Sequence, residues 1–200
     1  VFMNKKILII QLRPGLGDLC MFLPRCHEIA EANKSYKIYL LTKQNTKAEQ
    51  VLKYDPYINK IIFIDENKKK RNLLSLYKLF KDEKFSKVYS YQYGPKYLKY
   101  LFLSKITGVK NYFYYGIFKK KEDMIQRSIF ANEKFLNIKI KNFSGKIFYP
   151  PPKKKYSNSV VIGIGASGDN KRWPLENFIK IIQQLKKLKF EKFILAGGKG

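Results

Sequence analysis

The sequence predicts an α/β protein in which parallel sheets are covered by helices. Short apolar runs alternate with helical patterns along most of the chain, the signature of strands joined by crossover helices. A strand, a glycine turn and an apolar helix follow one another near the start, from Lys6 to the helix headed by Asp18. A second such unit runs from Val161 to a helix beginning at Pro174. The two units lie roughly 150 residues apart, about one domain length, and predict two nucleotide-type domains.

The elements follow in order. Lys6–Leu12 reads as the first strand and Leu19–Ala32 as a helix with one apolar face. Tyr36–Leu41 and Ile61–Ile64 read as the second and third strands, separated by a short helix near Thr46–Lys53. Leu73–Glu83 is helical, Lys87–Tyr91 a fourth strand, Tyr97–Thr107 a helix, and Asn111–Tyr115 a fifth strand. A last helix of this region covers Met124–Leu136. Pro150-Pro-Pro-Lys-Lys-Lys155 is an extended linker, because three prolines exclude a helix interior. The expected organisation is a first domain over 1–149, a linker over 150–159 and the start of a second domain over 160–200, which stops at the turn after a strand and is expected to be incomplete.

Both glycine turns have the composition of an anion site. In the second, Gly163, Gly165 and Gly168 let the backbone approach a ligand, Ser167 and Asn170 offer hydrogen bonds, and Lys171 and Arg172 bring positive charge to a helix start. In the first, Arg13-Pro-Gly-Leu-Gly17 precedes Asp18. Read alone, Asp18 fits a helix cap worth ~1 kcal/mol, and Lys171 is one of 36 lysines in solvent.

Composition sets looser bounds. A chain of 200 residues with 45% hydrophobic and 16% aromatic content is globular. It has no apolar run long enough to span a bilayer and no signal-peptide cleavage site, so it reads as cytoplasmic. Cys20 and Cys26, nearly two helical turns apart, read as buried thiols and not as a disulfide. The net charge of +26 is largely lysine, which AT-rich coding accounts for in part. The runs Lys68–Arg71, Lys119–Lys121 and Lys153–Lys155 still attract anionic surfaces such as a membrane. No nucleic-acid motif accompanies the charge. His27, the sole histidine, has no partner cluster in sequence for a metal site or a triad. The aromatics of Tyr89–Tyr100 and Tyr112–Phe118 fit either core or sugar stacking.

Taken together, Ile9-Ile-Gln-Leu-Arg-Pro-Gly-Leu-Gly-Asp-Leu-Cys-Met-Phe-Leu-Pro24, Gly165-Ala-Ser167, Lys171-Arg-Trp-Pro174 and Leu195-Ala-Gly-Gly198 resemble the motifs of glycosyltransferase family nine, the ADP-heptose:lipopolysaccharide heptosyltransferases. One position departs: the family carries His-Pro before Gly-Ala-Ser, where this chain has Ile162-Gly-Ile-Gly165. The resemblance implies a GT-B fold of two Rossmann-like domains, the second truncated here, and inverting transfer of a sugar from an ADP-sugar donor to a lipid-linked saccharide of the lipopolysaccharide inner core. It implies no metal and no cofactor, and work at the cytoplasmic face of the inner membrane.

The same resemblance assigns roles. Asp18 becomes the catalytic base, and Ser167 and Lys171 bind the donor diphosphate. Arg13, Gly15 and Gly17 shape the loop or face the acceptor, and Arg127, on the helix after the fifth strand, faces the acceptor as well. Trp173 and Pro174 are expected to be structural, the indole packing beneath the loop. A chain lacking half of its donor site is expected to be inactive by itself. Two other functions fit the residues without the resemblance: a nucleotide or phosphosugar-binding module that catalyses nothing, and a basic nucleic-acid-binding protein.

Overall fold

The computed structural model describes residues 5–64, 69–91, 98–118, 123–140, 145–150, 159–166 and 169–197, with residues 69–72 and Asp169 described by backbone alone. The chain divides into two compact units, Val1–Tyr149 and Pro150–Gly200. Of the predicted linker, residues 151–158 lie outside the described residues.

The first unit alternates strand and helix: β1 (Lys6–Ile10), α1 (Leu16–Ala32), β2 (Lys37–Lys43), α2 (Ala48–Val51), β3 (Lys60–Ile64), α3 (Lys69–Glu83), β4 (Lys87–Ser90), α4 (Leu98–Ile106), β5 (Asn111–Tyr114) and α5 (Met124–Leu136). Its five strands are all parallel and lie in the order β3-β2-β1-β4-β5. Parallel sheets are buried on both faces, and β1 obeys this with Ile7, Leu8, Ile9 and Ile10 fully buried. Alternate residues feed two cores. Ile7 and Ile9 join Leu19, Phe22, Leu23 and Ile29 of α1 on one face, whereas Leu8 and Ile10 join Leu76 and Phe80 of α3 and Tyr100 and Leu103 of α4 on the other.

Of the aromatic segments, Tyr89, Tyr91, Tyr100 and Tyr115 are buried in these cores, and residues 92–97 lie outside the described residues. Tyr89 stacks on Phe113 at 4.5 Å and Tyr91 on Tyr115 at 4.0 Å, and all but Phe113 are buried. His27 is structural too: its Nε2 is 2.8 Å from Asp55 Oδ2, and its ring packs on Tyr57. Both cysteines are free thiols, but only Cys26 is buried; Cys20 is half-buried.

The second unit holds one crossover: β6 (Ser159–Gly163), α6 (Leu175–Lys187) and β7 (Lys192–Ala196), with β6 and β7 parallel neighbours. Two expectations change here. Pro174 is the N-cap of α6, with φ −57° and ψ 142°, so the proline stands just outside the helix and not in its first turn. Trp173 is half-exposed, and its indole packs edge-on to Phe178 of α6 at 5.0 Å instead of lying beneath the loop.

Candidate functional site

Strand order locates the first candidate site. The chain adds β2 and β3 on one side of β1 and then crosses to place β4 on the other, so the carboxyl ends of β1 and β4 flank a topological switch point. The Arg13–Asp18 loop leaves β1 at that edge. Gly15 caps α1 with φ 101°, a backbone that L side chains rarely adopt, which lets the chain turn directly into the helix.

Gly17, in the first turn of α1, is different. A side chain there would meet nothing within 4 Å, and glycine inside a helix costs roughly 0.5–1 kcal/mol against alanine. Neither packing nor conformation calls for glycine at that point. Close approach of a ligand to the backbone would.

Asp18 sits in the third helical position, not at the N-cap. No side chain caps this helix. The carboxylate instead faces Arg13, with Oδ1 3.3 Å from the guanidinium Nε, and it keeps 29% of its side-chain surface in solvent. Arg13 Nη1 also lies against Met124 Sδ at the start of α5. Arg13, Gly15, Gly17 and Asp18 are thus brought together, and α5 closes one side of the loop.

Arg127 lies one turn beyond Met124 on α5. It is half-buried, and its Nε is enclosed. The helix start is fixed by Asp123, whose Oδ1 accepts from Ile125 N at 2.7 Å and Gln126 N at 3.0 Å. That N-cap, missing from the sequence reading, had a signal: an aspartate directly before an apolar helical pattern.

A second feature absent from the sequence reading is Gln11, which follows β1. It is fully buried, and its Oε1 accepts from Thr42 at 3.3 Å while Nε2 has no partner among the described residues. Its signal was a polar residue continuing an apolar strand toward a glycine loop.

In the second unit, Lys171 ends a short turn of 3-10 helix, Asp169–Lys171, just ahead of α6. It is exposed and has no hydrogen bond or ion pair among the described residues. The N-terminus of α6 carries no side-chain cap; of its first amides, Asn177 N–H donates to the Pro174 carbonyl at 3.1 Å. Ser167 lies outside the described residues. Among the described residues, no group of three His, Cys, Asp or Glu side chains could hold a metal ion, and no helix is long and apolar enough to cross a membrane.

No protein-family model and no curated protein matches the chain. Solved structures do. The glycosyl transferase family 9 protein of Veillonella parvula superposes with a TM-score of 0.65 at 18% identity, covering 98% of this chain and 71% of that one. Escherichia coli heptosyltransferase WaaC with ADP-2-deoxy-2-fluoro heptose gives 0.71 at 15% identity, covering 97% and 69%. Escherichia coli ADP-heptose LPS heptosyltransferase II gives 0.64 at 16%, covering 95% and 63%. These neighbours are GT-B glycosyltransferases, and the chain has their α/β fold.

Proposed function

We propose that this chain belongs to an inverting glycosyltransferase of the heptosyltransferase type, which moves a heptose-like sugar from an ADP-sugar to a lipid-linked saccharide of the lipopolysaccharide inner core. The observation that supports this reading is the Arg13–Asp18 loop. It carries the family-like motif, lies at the switch point of the sheet, and presents a carboxylate that the helix does not use as a cap.

In this reading the first unit takes the acceptor and the second the donor. Asp18 accepts the proton of the acceptor hydroxyl while that oxygen bonds to the anomeric carbon. The bond between the anomeric carbon and the diphosphate oxygen breaks on the opposite face, and its electron pair leaves with the ADP. Arg13, whose Nε lies 3.3 Å from Oδ1, holds the Asp18 carboxylate in place. Lys171, Ser167 and the uncapped amide groups of α6 stabilise the negative charge that builds on the diphosphate. Arg127 lies on the acceptor side. The acceptor is lipid-linked, so the reaction takes place at the cytoplasmic face of a membrane.

The test is turnover of an ADP-sugar by the complete reading frame, with the two roles separated by substitution. Asp18→Asn should lower kcat about 100-fold or more with little change in donor affinity. Lys171→Ala should raise the apparent KM for donor and lower kcat as well. If Asp18→Asn leaves kcat intact and only lowers the melting temperature, the carboxylate serves the helix dipole alone. Selective ADP binding without turnover would make the protein a binding module.

A further inference from the structure

The face of the first unit formed by α3 and α4 is apolar where it should be wet. Leu98, Phe102 and Ile106 of α4 are 60%, 59% and 50% exposed, and Leu73 and Leu74 of α3 are 51% and 72% exposed. Spacing by four puts the three α4 residues on one stripe. The opposite stripe, with Tyr100 and Leu103, is buried against the sheet, so α4 is apolar on both sides and the protein covers only one. Single exposed leucines are ordinary, but a stripe of three beside two more on a neighbouring helix is a patch. α3 and α4 are packing neighbours.

Lysines frame it. Lys78 and Lys81 of α3 and Lys99 and Lys105 of α4 are exposed, and Lys81 and Lys99 lie over the rings of Tyr77 and Tyr100 at 6.0 and 4.9 Å. An ammonium carried on a stem laid along apolar surface is the arrangement that long side chains adopt at a lipid–water boundary. The only acids on the two helices are Asp82 and Glu83, at the end of α3 away from Leu73 and Leu74, and Glu83 is engaged by Lys6 and Lys60. Because α3 and α4 follow β3 and β4, they begin at the carboxyl edge of the sheet. Leu73, Leu74 and Leu98 therefore lie toward the same edge as the Asp18 loop.

We infer that the α3–α4 face docks onto an anionic lipid bilayer, the apolar side chains entering the boundary between headgroups and acyl chains and the lysines meeting lipid phosphates. Charge complementarity decides the occupant: a second copy would set like-charged lysines of a +26 chain against each other, whereas an anionic membrane satisfies both parts of the patch. The inference rests on the proposed function only in that a lipid-linked acceptor gives the docking a purpose.

The probe is vesicles of phosphatidylglycerol and phosphatidylcholine, set against phosphatidylcholine alone, with binding read by co-sedimentation. Leu98→Ser with Phe102→Ser should weaken binding to the anionic vesicles about tenfold or more, and Lys99→Glu with Lys105→Glu should do so to a similar degree and reduce the salt dependence. Leu188→Ser, at an equally exposed leucine of the second unit, should change nothing. All of these side chains are exposed, so the tyrosine near-UV signal should persist. Unchanged binding by both double variants overturns the inference, as does equal binding to the neutral vesicles. A dimer in gel filtration that Leu98→Ser with Phe102→Ser dissolves would assign the patch to a second copy instead. Measuring ADP-sugar affinity in the same variants separates the two readings: lost lipid binding with intact donor binding leaves the inference standing, whereas vesicle binding without any donor binding or turnover removes the catalytic reading alone.

Discussion

The most exacting test of the packing is Arg25→Met. Arg25 is 1% exposed, and its guanidinium grips both oxygens of Glu28 one turn later on α1, with Nε donating to Oε2 at 2.8 Å and Nη2 to Oε1. Glu28 Oε2 also accepts from Asn132 Nδ2 of α5 at 2.7 Å, the same amide nitrogen lies 3.2 Å from the Arg25 carbonyl, and the Tyr115 hydroxyl donates to Asn132 Oδ1. The network therefore ties α1, α5 and the turn after β5 together.

Removing Arg25 takes two charge-assisted bonds from Glu28 and leaves its carboxylate, 13% exposed, with one neutral amide. Breaking one side of a buried pair costs ~3–5 kcal/mol, a large part of the 5–15 kcal/mol that typically holds a domain. At a urea m-value of about 1–3 kcal/mol/M, the midpoint should fall by roughly 1–5 M. Arg25→Met with Glu28→Leu removes the orphaned charge and should recover most of the loss. The assay is urea unfolding followed by tyrosine near-UV circular dichroism, because Trp173, the sole tryptophan, lies in the second unit and reports on that. A cost below about 1 kcal/mol for the single change, or a double variant no better than the single, would show that the pair is not a compensated buried charge.

Two further outcomes follow from titratable groups. Burial pushes the Glu83 carboxyl up, but hydrogen bonds from Lys6 and Lys60, both at 2.6 Å, outweigh it and hold it below its ordinary 4.5, while the same bonds raise both lysines above 10.5. The trio's contribution is therefore full between about 4.5 and 10.5 and is lost on either side; Glu83→Gln should cost ~1 kcal/mol near neutrality and flatten the acid limb of stability against pH, given its partly exposed setting. Burial also pushes the Cys26 thiol up to about 12, so a thiol reagent should modify half-buried Cys20 first and reach Cys26 only on unfolding; equal labelling rates in the native protein would contradict the buried position.

Much of the architecture was legible because this chain punctuates its elements. The strands are unbroken apolar runs, and Met124–Leu136 matches its periodicity at both ends. Starts without apolar periodicity were not. α3 begins at Lys69 and not Leu73, because its first turn, Lys-Lys-Arg-Asn, looks like a solvated charge run. Asp18 fell inside the helix because Gly15 had already turned the chain, three residues before the apolar pattern begins. The Arg25–Glu28–Asn132 network had no local signal at all. Arginine and glutamate three apart on a helix read as a surface pair, and only contact with a residue more than a hundred positions away buries them. For the site, the first loop was visible as glycines and charge, while Gln11 became a candidate only when its amide proved to be enclosed without a partner among the described residues.

The two loops can also be weighed by what stability alone would choose. A carboxylate in the first turn of a helix is favoured by the macrodipole, so Asp18 in α1 has a structural use even without substrate. A cation just ahead of a helix N-terminus is disfavoured by the same field, and Lys171 precedes α6, whose first turn carries Glu176, with no ion pair to a carboxylate among the described residues. Other lysines of this chain repay their charge through partners: Lys6 and Lys60 through Glu83, and Lys87 through Asn33 and the Tyr36 ring. Lysine-rich composition explains how often lysine occurs, but not why one stands where the helix field opposes it. An anion that meets both the Lys171 ammonium and the α6 amide groups reverses the sign of that energy, since it is attracted by each. The second loop is therefore the stronger physical argument for a phosphate-bearing donor, even though the first carries the longer motif.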